Sequence, residues 1–180
     1  MFTTESQAKA EIMIAGVEVD ALRQRIDALP SPRALAQMSP QRLMLAVSDA
    51  LAVVHAAEAV LDQTHDVVVG VPALSMSSLK TDAARNVHRA LEQRERARLV
   101  FASIAGVTAA VAVEAGYRAG DSGNRKDVAV ARIMLEGARS AARIVEQFRI
   151  PGLIRSPKKW LRDCAKRLAA LSRIEVREAA

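Results

Sequence analysis

Three histidines and one cysteine stand first among the side chains with which this chain of 180 residues could hold a metal or form a covalent bond. His55 and Glu58 stand three residues apart, as do Asp62 and His65. On a helix that spacing brings two side chains onto one face, where they can share a cation. A di-iron site in a helical bundle also needs Glu-x-x-His pairs, and the sequence has none. His88 lies among Arg85, Arg89 and Glu92, the setting of a solvated surface rather than of a general base. A single cysteine excludes both a disulfide scaffold and a cysteine-based zinc site.

Nucleophilic chemistry finds as little support. There is no Gly-x-Ser-x-Gly and no Walker-type phosphate loop, and Gly116, Gly120 and Gly123 lack the strand that a dinucleotide turn follows. No histidine follows an arginine by the four to six residues of a helical ribonuclease pattern. Cys164 has Arg162, Lys166 and Arg167 beside it, and neighbouring cations favour a reactive thiolate. It also falls on an apolar stripe with Trp160, Leu161, Leu168 and Leu171, which makes it a small core residue instead. The expectation is a protein without catalytic residues, cofactor or metal.

What remains is charge. Residues 1–117 carry 11 basic and 13 acidic side chains, a net of −2, while residues 118–180 carry 15 and 7, a net of +8. From residue 149 to residue 173 there are eight bases, Arg149, Arg155, Lys158, Lys159, Arg162, Lys166, Arg167 and Arg173, against one acid, Asp163. Such a local excess is the footprint of a polyanion partner, and these eight are the candidate contacts to a nucleic-acid backbone. Arg118, Arg125, Arg132 and Arg139 recur every seven residues, but Glu136 between the last two makes part of that row intrahelical pairing. Only Trp160 accompanies the basic patch, too few aromatics for single-strand readout by base stacking. No helix-turn-helix spacing is present to read DNA sequence.

The elements that must position these groups are helices. Apolar residues make up 51% of the chain, enough for a core and too many for a disordered polymer, while aromatics at 3% leave Ala, Val, Leu and Ile to fill it. Thr4 and Gln7 form a capping-box signature ahead of Ile12, Ala15, Val19, Leu22, Ile26 and Leu29, a seam spaced alternately by three and four that Pro30-Ser31-Pro32 ends. Ser39-Pro40 opens a second helix with Leu43, Val47, Ala50, Val54, Ala57 and Leu61 at the same period. The β-branched run and Pro72 within 67–79 read as a connection.

A long helix over about 79–118 follows. Its residues 99–113 are uncharged, and Ala102, Gly106 and Ala110 form a ridge of small residues for close helix contact. That run of 15 falls short of the ~20 residues that span a bilayer, and Glu114 closes it, so it reads as a core helix. A loop over 119–124, a helix over about 125–149 with Val130, Ile133, Gly137, Ala141, Ile144 and Phe148 as its apolar side, and a last helix after Ser156-Pro157 complete the chain.

The expected fold is an all-α, single-domain bundle of about five helices, residues 1–150 forming the core and residues 151–180 a basic amphipathic helix packed on or extending it. Ile12, Val19, Leu22 and Ile26, with Ala102, Gly106 and Ala110, are the expected helix interfaces. The expected function is that of a non-enzymatic subunit of a larger assembly, bound to other subunits or to itself, that touches a nucleic-acid phosphate backbone through its C-terminal third. The alternative is a structural, virion or membrane-interacting protein, since an amphipathic basic helix also suits an anionic membrane. The N-terminus has no basic segment followed by an apolar one, and a lone cysteine suits a reducing compartment, so a cytoplasmic location is expected.

Overall fold

Local capping chemistry sets the helix starts. In the computed structural model, which describes residues 4–71, 77–150, 153 and 156–179, the first helix, α1 (Glu5–Asp27), begins where the Gln7 N–H donates to Thr4 Oγ1 at 3.2 Å. Ser31 and Pro32 then start a one-turn helix, α2 (Pro32–Leu35), capped by the Ala34 N–H on Ser31 Oγ. Ser39 caps α3 (Pro40–Gly70) through the Arg42 N–H. α4 (Ser77–Ser122), α5 (Arg125–Phe148) and α6 (Pro157–Ala179) follow, giving six helices and no strand among the described residues. The all-α fold expected from the sequence is the fold observed, with α2 as an addition.

The chain divides into two compact units, Met1–Leu29 with Ala50–Ala97, and Pro30–Asp49 with Arg98–Ala180. Residue 150, where the sequence suggests a boundary, falls inside the second unit.

In the first unit the seam of α1 is buried through Ala8, Ile12, Ala15, Val19, Leu22 and Ile26. Ala8, Ile12 and Ala15 cluster with Val67 and Val71 at the end of α3 and with Leu79 and Ala83 at the start of α4. The α1 start therefore meets the α3 end and the α4 start, an up-down-up arrangement with α1 and the first half of α4 parallel. Their register is visible in polar pairs of near-constant offset. Asn86 Nδ2 donates to the Ile12 carbonyl at 2.8 Å, Arg89 pairs with Asp20, and Arg96 pairs with Asp27.

Asn86 is buried at 8% exposure, whereas Arg96 and Asp27 are 45% and 48% exposed, so the two contacts answer differently to salt. Asn86→Ala is expected to cost about 1 kcal/mol at any ionic strength. The coupling energy of an Asp27–Arg96 double-mutant cycle is expected at about 0.2–1 kcal/mol in dilute buffer and near zero in molar salt. Urea unfolding in both buffers checks this; a salt-insensitive Asp27–Arg96 coupling would contradict the assignment.

The second unit repeats the arrangement. Gly106 and Gly116 of α4 face Trp160 and Arg167 of α6 in the same chain order, so those helices are parallel, and Phe101 of α4 meets Phe148 at the far end of α5, so α5 runs against them. The reversal between α4 and α5 needs two residues, Gly123 at φ 64°, where a side chain would be strained, and Asn124, whose side chain accepts from the Lys126 N–H at 2.9 Å. Buried hydroxyls do not disturb these helices, because Thr64 and Thr108 donate back to the Leu61 and Ile104 carbonyls, each at 2.8 Å.

Three expectations are corrected. Val67–Gly70 are helical, as are residues 77–79, so most of the supposed connection over 67–79 is helix; residues 72–76 of it lie outside the described residues. The β-branched run is held by burial, with Val67 and Val71 one turn apart against α1. The loop over 119–124 shrinks to its last two residues, because α4 continues to Ser122. Finally, α5 turns inward Val128, Ala131, Met134, Leu135, Ala138, Ala141, Ala142 and Val145, while Val130 and Ile133 are 39% and 64% exposed. Half of that inner face is alanine, which lets the neighbouring helices approach closely.

Candidate polyanion face and apolar groove

The backbone of α6 sorts its bases by direction. Trp160, Cys164 and Leu171 are buried on one side, and Lys158, Lys159, Arg162, Lys166 and Arg173 are exposed. At 3.6 residues per turn those five bases fall within an arc of about 100° opposite the buried stripe, over about 22 Å of helix. Arg162 also stands 3.9 Å from Asp163, a mostly exposed pair that holds little of its charge back. Arg149 is exposed at the end of α5, in the left-handed conformation at φ 49°, and lines a small cavity of about 120 Å³ together with Lys158. Arg155 lies outside the described residues.

Arg167 stands apart from the other bases. Its guanidinium donates to the carbonyls of Gly116 at 2.6 Å and Tyr117 at 3.2 Å and lies 4.1 Å from the Tyr117 ring centroid. These carbonyls belong to the last turns of α4, the negative end of the helix dipole, so the cation locks α6 to α4. Its hydrogen-bonding groups are turned toward protein, and sequence spacing offers no means of seeing that.

The remaining candidate groups are dispersed. His55 and His88 are exposed side chains, 3.8 Å from Glu58 and 3.2 Å from Glu92, and His65 is exposed as well. Among the described residues no three His, Cys, Asp or Glu side chains converge on a cation position.

Cys164 is fully buried, and its thiol pKa rises from 9.0 to about 11 because burial disfavours the thiolate; Asp163 adds to the rise and Arg139 opposes it. The sign follows directly: between those two values the unfolded thiol ionises and the folded one does not, so folding loses stability as pH rises. The expected decline is about 1.4 kcal/mol per pH unit across that window, absent in Cys164→Ala, with alkylation of the native thiol negligible at neutral pH. Denaturant midpoints at stepped pH and an iodoacetamide time course check both.

The ridge of small residues on α4 does two jobs. Ala102 is buried, while Ala110 is exposed and Gly106 is half-buried. A Cβ on Gly106 would stand 2.8 Å from Trp160 Cζ2, so only glycine admits the indole there. The exposed side of the same stretch, including Leu99 at 50% exposure, forms one wall of a groove of about 590 Å³, with Leu153 and Trp160 opposite. The sequence reading of 99–113 as a core segment therefore holds for one face of the helix only. α3 and α4 each contain an 18-residue stretch apolar enough to cross a membrane, with mean hydropathy 1.7 and 1.8; 39% and 44% of those stretches are buried within the protein, and core helices share this composition.

No family model, curated protein or solved structure matches the chain.

Proposed function

We propose that this protein is a non-enzymatic helical subunit of a larger assembly, contacting the phosphate backbone of a nucleic acid through the exposed bases of α6. The observation that carries the reading is the one-sided row of Lys158, Lys159, Arg162, Lys166 and Arg173. Over its length of about 22 Å a duplex presents about 13 phosphates, ample for five contacts. Backbone contact suits the surroundings better than base stacking does. Trp160 is buried, and the Tyr117 ring is covered on one face by Arg167.

A first test reads the ratio of nucleic-acid to protein absorbance in gently purified protein. With one Trp and one Tyr the chain's own signal is low, so bound nucleic acid stands out. The expected ratio is high and falls after a wash in about 1 M salt, where the screening length is only about 3 Å. A low ratio throughout, with no binding of added duplex, contradicts the reading. An anionic membrane surface is the second reading, favoured by the apolar groove at Trp160 beside the basic face; it expects pelleting with anionic vesicles at low salt.

A further inference from the structure

We propose that the polyanion face is built from two helices, with Arg139 and Arg143 of α5 as a second row of contacts, so that one strand of a nucleic-acid backbone lies in the trough between α5 and α6. This rests on the nucleic-acid reading and extends its site. The two helices are antiparallel neighbours, and their register is fixed at two levels. Val145 and Glu146 line one small cavity with Pro157 and Lys158, and Leu135 and Arg167 both stand against Gly116. Ten residues back along α5 therefore correspond to ten forward along α6. In that register Arg143 is level with Lys158 and Lys159, and Arg139 is level with Arg162 and Lys166. The action of Arg139 on the Cys164 thiol agrees with its level.

Helical period sets the side. Arg139 and Arg143 follow Leu135 by four and eight residues, so both lie on its flank of α5, within about 80° of it and about 40° of each other. Arg143 is exposed and Arg139 half-buried. On α6, Trp160 and Arg167 face α4, and the surface beyond Cys164 passes through Ala165 and Ala169 to Lys158 and Arg162. Ala165 is half-buried and Ala169 exposed, so the floor between the two rows carries only methyl groups and a strand can sit deep. Packed helix axes lie about 8–10 Å apart, which puts long basic side chains within reach of such a strand from both edges. The acids along this trough are offset. Glu136 stands 3.6 Å from Arg132, and Glu146 shares its cavity with Arg149 and Lys158. Guanidinium groups on one edge add bidentate phosphate contacts that lysine does not make.

The test is the salt dependence of duplex binding by the full chain, read as fluorescence anisotropy of a labelled DNA duplex at stepped salt. Each phosphate contact adds about −0.9 to the slope of log K against log salt, so Arg139→Ala combined with Arg143→Ala is expected to make the slope shallower by about 1.8. Arg143→Ala alone is expected to give half of that shift with unchanged helicity, which keeps the test valid where loss of Arg139 disturbs the packing at Cys164. Arg23→Ala combined with Arg85→Ala removes the same charge from exposed positions of the first unit and is expected to leave the slope unchanged. A wild type that binds duplex, loses binding on reversal of the α6 bases and keeps its slope without Arg139 and Arg143 overturns this inference and leaves the nucleic-acid reading standing. An equal shift in the Arg23 and Arg85 variant also overturns it, because net charge rather than position then sets the slope. A wild type that binds no duplex overturns both.

Discussion

Phe101→Ala is expected to lower the unfolding free energy by about 3–5 kcal/mol, a large share of the ~5–15 kcal/mol that holds a typical domain together. Phe101 is fully buried and meets the Phe148 ring edge-on, with centroids 5.9 Å apart and an interplanar angle of 65°; Arg98 covers that second ring at 5.2 Å. The cost belongs at the upper end of the range because of what else fills α4 and α5. Ala102, Ala105, Ala138, Ala141 and Ala142 are buried, and a methyl group has no rotamer with which to enter a void. Urea titration measures the loss as a fall in midpoint at unchanged slope. Phe101→Leu, which keeps most of the volume, should recover most of it; equal midpoints for Phe101→Ala and the wild type would remove the ring from the core.

Reversing charge at Lys158, Lys159, Arg162, Lys166 and Arg173 is expected to abolish duplex binding and leave the fold intact. Five phosphate contacts give a slope of about −4.5 in log K against log salt, so the wild type should lose at least about 500-fold in affinity between 50 and 200 mM salt, and the variant should show neither binding nor slope. The five side chains are exposed, and such substitutions each change stability by no more than about 0.5 kcal/mol. Arg167→Ala is expected to behave in the opposite manner. It removes two hydrogen bonds to α4 carbonyls and the contact with Tyr117, costing about 1–3 kcal/mol of stability, with a small effect on the salt slope. A variant reversed at all five exposed positions that still binds duplex with a steep slope would refute the assigned face.

How far the fold could be read in advance depends on what each residue type signals. Thr4, Ser39 and Ser156-Pro157 announce helix starts by chemistry that acts within one turn, and the starts lie there. The α1 seam is legible because Ile12, Val19, Leu22 and Ile26 are large and evenly spaced. Alanine carries no such signal. On α5 it shares the buried face with Val128, Met134, Leu135 and Val145, and a stripe drawn through Val130 and Ile133, which face outward, selects the wrong side. Val67 and Val71 mislead in the other direction, because intrinsic preference favours an extended strand and burial against α1 prevails. For the candidate site, composition reveals the excess of bases, and helical period reveals which face they share. It does not reveal that Arg167 is engaged by Gly116 and Tyr117, about 50 residues away in the chain, nor that Gly106 receives an indole.

The two units are interleaved along the chain, since residues 30–49 of the second separate the two segments of the first. Order of synthesis and order of assembly are thereby uncoupled. A nascent chain emerges at about 5–20 residues per second, and the first unit lacks its third helix until the stretch up to Ala97 has left the ribosome. Met44, which packs on Gly137, waits longer still, exposed until α5 follows. A C-terminal truncation placed after Ala97 therefore does not isolate a folded half; it strands residues 30–49 as an apolar segment with its partners missing, a species for chaperones to hold rather than a domain to study.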